Sequence, residues 1–119
     1  MISLELITLL NTLYDRVPFS ITRMISTPLR NHAVGGAKGS WHLDLSTDPN
    51  YARPCGAADL VFDTNKQLWQ AAGEAQAIGF GGIELDETNL HLHVDIRPLS
   101  EKWWVVHTKE GNKPLAVSV

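Results

Sequence analysis

Glu87-Thr88-Asn89-Leu90-His91-Leu92-His93-Val94-Asp95-Ile96 is the stretch whose reading decides the fold. Its apolar residues fall at every second position, the period of a strand rather than of a helix. Leu90, Leu92, Val94 and Ile96 therefore face a core, and His91, His93 and Asp95 share the opposite face. Two imidazoles and a carboxylate in one row suit a metal or acid–base site. Taken alone, the same row is equally well read as a solvated strand face.

Outward from this strand the chain alternates between helix and strand signals. Leu6, Leu9, Leu10 and Leu13 recur at helical spacing, which predicts a helix over residues 3–15, ended by the Val17-Pro18 step. Phe19 to Met24 reads as a short strand. Residues 27–57 are rich in Gly, Pro, Asn, Asp and Ser and read as a long loop. Ala58 to Phe62 is a strand, and Asp63 or Thr64 caps a helix reaching Ile78, with Gly79 in the left-handed position behind it. That helix buries Leu68, Ala71, Ala72, Ala75 and Ile78. Ile83 to Leu85 is a strand and Asp86 to Asn89 a turn. Trp103 to Thr108 and Leu115 to Val119 form a hairpin around Lys109–Lys113. The sum is α+β, a small, mainly antiparallel sheet packed by helices.

The chain has 119 residues, a length that suits one domain spanning 1–119. A net charge of -3 and the lack of any Lys/Arg block argue against a nucleic-acid partner. The single cysteine excludes an internal disulfide and a thiolate cluster. No apolar run approaches the ~20 residues of a membrane span, and the amphipathic start lacks the organisation of a signal peptide. A monomer made in the cytoplasm is expected, without membrane contact.

A second segment adds to the His/Asp row. Ser40-Trp41-His42 precedes Cys55-Gly56-Ala57-Ala58-Asp59. A loop histidine and a strand aspartate meeting His93 would make a His₂Asp set, which leaves the fourth position of a tetrahedral zinc open, as in catalytic sites. Individually each residue has a plainer account: His42 as an exposed loop residue, Asp59 as a strand-end or turn residue, Asp95 as the ion-pair partner of Arg97 or a lysine. His32 and His107 read as surface or packing histidines, and Trp103-Trp104 as one ring on the core. Gly35 to Ser40 lacks the spacing and following helix of a phosphate loop.

Ile21 to Leu43, ITRMISTPLRNHAVGGAKGSWHL, resembles the M15 (D-Ala-D-Ala carboxypeptidase-like) zinc peptidases. An Asn, an Ala-Val-Gly-Gly-Ala run and a Ser-x-His follow one another, then Gly-Ala-Ala-Asp, a helix and His-Val-Asp. The resemblance covers about residues 19–97. The tail is also similar to the hedgehog signalling domain, which shares that fold and has a Glu six residues and a His two residues before the last zinc histidine. Glu87, His91 and His93 reproduce this spacing.

The resemblance implies His42, Asp59 and His93 as zinc ligands, Glu87 as general base and His91 as an auxiliary group, with Glu84 and Asp86 as rivals of Glu87. It implies hydrolysis of peptidoglycan stem peptides, either between L-Ala and an acidic D-residue or beside D-Ala, as in a phage-type lysis enzyme released to the cell wall. Three departures stand out. Asp59 follows His42 by seventeen positions, more than the family's gap, so that Leu45 to Pro54 reads as an insertion. Cys55 replaces a glycine. Ile25-Ser26-Thr27 replaces a Tyr-Arg-Ser whose Arg meets a substrate carboxylate, with Arg23, Arg30 or Arg53 as substitutes; this loss favours an endopeptidase. The alternatives are a non-catalytic zinc-stabilised binding module and a metal-free interaction domain.

Overall fold

A computed structural model describes residues 1–24 and 40–115. Helix α1, Leu4–Arg16, starts where the Ser3 hydroxyl accepts from the Leu6 amide at 3.3 Å. Glu5 lies in its first turn and Arg16 in its last, the arrangement that the helix dipole favours. Leu6, Leu10 and Leu13 form its buried side, and the chain turns extended at Val17, before Pro18. Strand β1, Ser20–Arg23, follows, and after the loop strand β2, Ala57–Val61.

Helix α2, Asn65–Ile78, is capped by Thr64, whose side chain accepts from the Gln67 amide at 3.1 Å. It ends on Gly79 at φ 103°, a conformation glycine takes without Cβ strain. Its buried side is Leu68, Ala71, Ala72 and Ala75. Three small residues let the helix lie close to the sheet. Arg16 of α1 pairs with Glu74 of α2 at 2.6 Å, across the outer surface of the helix layer.

Strands β3, Gly82–Asp86, and β4, His91–Asp95, form the hairpin at the centre. A short 3₁₀ turn, Leu99–Glu101, leads to β5, Trp103–Thr108, and β6, Gly111–Pro114. The sheet order is β1-β2-β4-β3-β5-β6, with every pairing antiparallel except β3 with β5. The architecture is therefore α+β, a six-stranded, mostly antiparallel sheet with two α-helices among the described residues.

Both helices cover one sheet face. Leu6, Leu13, Leu60, Leu68, Ala75, Ile83, Leu85, Leu92 and Val94 belong to one buried cluster there. The other face carries the polar alternates of β3 and β4 and Asp59 of β2. Trp104 turns to the core and donates to the Phe80 carbonyl at 3.0 Å, whereas Trp103 is exposed.

One expected boundary falls elsewhere: the partner of β5 in the hairpin is Gly111–Pro114, so Gly111 to Lys113 of the expected turn are strand. Gly111 at φ 113° and the Thr108 hydroxyl, which donates to the Gly111 carbonyl at 2.6 Å, close the turn after Lys109-Glu110. Leu115 is buried beyond the strand, and 116–119 lie outside the described residues. Among the described residues no helix is long and apolar enough to cross a membrane.

Candidate metal centre

The alternation in β4 places His91, His93 and Asp95 on the helix-free face, with Leu92 and Val94 buried behind them. Antiparallel pairing sets Asp59 of β2 directly opposite His93. The sheet alone therefore brings one carboxylate and one imidazole together, through a cross-strand pair.

His42 arrives from the loop. The Gly56 amide donates to the Trp41 carbonyl at 2.9 Å, and the Ile96 amide to the Gly56 carbonyl at 2.9 Å, which ties the loop to the extension of β2. Gly56 is needed for this contact. A Cβ there would stand 2.7 Å from Ile96 Cγ1 and 3.0 Å from Trp41 Cε3. The Arg53 guanidinium lies 4.0 Å over the Trp41 ring and closes the loop on itself. Much of the Leu45 to Pro54 segment is thus a clamp behind His42, joined by the bridge of Leu45 to Arg53.

His42 Nε2, His93 Nδ1 and one oxygen of Asp59 lie within 4.8 Å of one another, the spread of a single cation's ligands. Asp59 Oδ1 is 3.1 Å from His42 Nε2 and 3.0 Å from His93 Nδ1. The opposite ring nitrogens decide the tautomers. His42 Nδ1 lies 2.7 Å from the Met24 carbonyl, which can only accept, so Nδ1 carries a proton; Nε2 faces Asp59 and would offer its lone pair to a bound metal. His93 Nε2 donates to Asp95 Oδ2 at 2.7 Å and leaves Nδ1 to the centre. An imidazole whose far N–H is held by a carboxylate or carbonyl is the usual arrangement of a metal-ligating histidine. A metal ion fits this set.

Asp95 both orients His93 and pairs with Arg97. It is fully buried, and Arg97 Nε and Nη2 donate to it at 2.8 and 2.7 Å, with the Arg97 amide at 3.1 Å. Gly82, directly across from Asp95, makes room: a Cβ there would sit 2.1 Å from Asp95 Oδ1. Burial raises the Asp95 carboxyl, but His93 and Arg97 outweigh it and hold it at about 2. Burial likewise raises Asp59, and hydrogen bonds from His42 and His93 bring it well below the carboxylate range. For His93 burial works downward, and Asp59 and Asp95 overcome it to lift the imidazole to about 9.

The other expected site residues fall in two places. His91 is on the same face as His93, opposite Val61 and Asp86. Glu87 is in the turn after β3 and accepts a hydrogen bond from the indole of Trp69 on α2, the helix layer behind the sheet. It shows no bond to the His/Asp set. Cys55 is fully buried, donates to the Met24 carbonyl at 3.4 Å, and has its thiol pushed up by burial, the state of an inert packing residue. Arg30, His32, the 25–27 departure and the Asn31 to Gly39 part of the resemblance lie outside the described residues.

Two contributors escaped the reading of the sequence. The Met24 carbonyl is a backbone group without a signature. Gly82 acts through a strand pairing that spacing does not reveal, although the Gly81-Gly82 doublet is a cue to close approach. Glu84, a named rival of Glu87, pairs across the sheet with His93 and lies 3.6 Å from His107 on its other side. No family model, curated protein or solved structure matches the chain.

Proposed function

We propose that this chain is a zinc-dependent peptidase of the M15 type, with the hedgehog-like zinc fold, and that it hydrolyses stem peptides of peptidoglycan. The observation that carries the reading is the convergence of His42 Nε2, Asp59 Oδ1 and His93 Nδ1, each imidazole already oriented by its far nitrogen. Two imidazoles and one carboxylate suit zinc, and three protein ligands are the number found in its catalytic sites. The substrate class rests on the resemblance of Asn31 to His42, Gly56 to Asp59 and His93 to Asp95 to that family.

When bound, zinc would supply the Lewis acidity that polarises a carbonyl and makes water a nucleophile near neutral pH. The chain supplies the rest. Asp95 and the Met24 carbonyl hold the two imidazoles in place. The resemblance makes His91, two residues along the same face, the donor to the developing negative charge on the carbonyl oxygen, a role worth about 3–4 kcal/mol per donor. A carboxylate takes the proton of the attacking water and passes it to the departing amine. The resemblance gives that task to Glu87.

Digestion of defined muropeptides, with the products weighed by mass spectrometry, tests the reading. A single bond should be cut, the cut should stop with a chelator, and added Zn²⁺ should restore it. Folded, zinc-loaded protein that leaves every muropeptide intact would contradict it. One observation favours a second reading, a non-catalytic zinc-stabilised binding module: the Glu87 carboxylate is held by Trp69.

A further inference from the structure

At one end of the sheet the turns after β3 and β5 border a cavity of about 180 Å³, lined by Asp86, Thr88, Asn89, His107, Thr108 and Lys109. The register explains why these residues meet. Asp86 is directly opposite His91 across β3 and β4, and directly opposite His107 across β3 and β5. His91, Asp86 and His107 thus form a cross-strand row, two residues along the strands from the row of Asp59 and His93. Two residues of strand are about 7 Å, and neighbouring strands lie about 4.8 Å apart. Asp86 is therefore about two to three residues of extended peptide away from the ligand set.

The lining carries both signs of charge. The Thr88 amide donates to Asp86 Oδ1 at 3.0 Å, and the Asn89 side-chain amide to Oδ2 at 2.9 Å. Burial raises the Asp86 carboxyl, but those bonds outweigh it and keep the group below its ordinary value, an anion at neutral pH. Each oxygen has a second lone pair with which to accept from a ligand. Lys109, from the other turn, supplies an ammonium with no ion-pair partner among the described residues. His107 is fixed at the wall by Nδ1, which donates to Asn112 Oδ1 at 2.8 Å. A ligand bearing one charge alone meets a like charge in this cavity. A group bearing an ammonium and a carboxylate on one carbon meets an opposite charge at each.

We infer that this cavity is a specificity subsite for the side chain of a diamino diacid, which ends in a second α-amino-acid group. Asp86 holds the ammonium of that group and Lys109 its carboxylate. This rests on the zinc-peptidase reading above and names the residue that its substrate carries. The diamino residue of a stem peptide stands between the acidic D-residue and D-Ala, within two residues of either proposed cut. Stem peptides with lysine in that place bring an ammonium alone and are disfavoured by Lys109.

Two dipeptides test the subsite without hydrolysis, γ-D-Glu-meso-diaminopimelate and γ-D-Glu-L-lysine. They differ by one side-chain carboxylate, and neither contains a bond proposed to be cut. In an NMR titration of full-length, zinc-loaded protein, the diaminopimelate dipeptide should shift the amide resonances of Thr88, Asn89, Thr108 and Lys109. It should saturate at a concentration at least ~5-fold below that of the lysine dipeptide, the scale of one exposed ion pair. Lys109→Gln should bring the two within about twofold of each other. Lys66→Gln, which removes one positive charge from the exposed surface of α2, should keep the preference. Asp86→Asn retains an oxygen for the Thr88 amide and should weaken both dipeptides by about threefold. Muropeptides that carry the two residues should show the same order in kcat/KM.

Equal binding of the two dipeptides by the wild type would overturn the inference, as would shifts confined to other residues. Equal cleavage of the two muropeptides would also remove the subsite and leave the peptidase reading intact. A dipeptide preference in protein that cuts no muropeptide would keep the subsite and remove the peptidase reading.

Discussion

Zn²⁺ added to metal-stripped protein is expected to raise its melting temperature by roughly 10–25 °C at a free concentration near a thousand times Kd. Binding to the folded state alone then contributes about 4 kcal/mol, and a domain of this size moves by about 3–6 °C per kcal/mol. The increment should grow with pH. In the stripped protein His93 holds its proton up to about 9, against 6.5 for an ordinary imidazole. Its contribution to stability is therefore fully present below pH 6.5 and is lost as the pH rises through about 9.

Asp59 and Asp95 act in the opposite direction. Both lie below the ordinary 3.8, so their contribution is present above that value and is lost on acidification, for Asp95 through about 2. The stripped protein is thus most stable between about pH 4 and 6.5. Zinc must displace the His93 proton, and its affinity should gain about tenfold per pH unit for each proton released between pH 6.5 and 9. Melting curves at pH 6, 7 and 8, with and without zinc, measure both effects. A zinc increment independent of pH would contradict the geometry at His93.

Asp95→Ala should be the most damaging substitution outside the ligand set. Removing one partner of a buried ion pair costs about 3–5 kcal/mol, out of a total stability of roughly 5–15 kcal/mol. Because the Arg97 side chain left behind is 22% exposed, a cost of about 3 kcal/mol is expected. Zinc affinity should fall as well, by about 10–100-fold, since His93 loses the carboxylate that orients it. Gly82→Ala attacks the same group from the neighbouring strand and should reproduce the loss of zinc affinity. Urea unfolding and zinc titration of the two variants measure the two losses. Wild-type zinc affinity in both would show that Asp95 does not orient His93.

The elements most legible in the sequence were those whose signals are local. Alternation from Leu90 to Ile96 gave β4 and its two faces, Thr64 and Gly79 bounded α2, and the Val17-Pro18 step ended α1. The parallel pairing of β3 with β5 has no local signature, because it depends on a crossover between distant segments. The turn of the closing hairpin was expected over Lys109–Lys113, but the strand resumes at Gly111, which its positive φ allows. At the site, the residues alone left the plainer readings open, and the set of His42, Asp59 and His93, which the structure brings together, was what the resemblance implied. Glu84 was named with Asp86 as a rival of Glu87, but its position directly opposite His93, nine residues away in the chain, is set by register alone.

Calorimetric titration of metal-stripped protein with Zn²⁺, beside His42→Ala, Asp59→Ala and His93→Ala, tests the central claim most directly. The account predicts one zinc per chain in the wild type and a loss of at least ~100-fold in affinity for each variant, more than an orienting partner's removal typically costs. Folded wild-type protein that takes up no zinc, or any one variant that binds it as the wild type does, would contradict the metal centre.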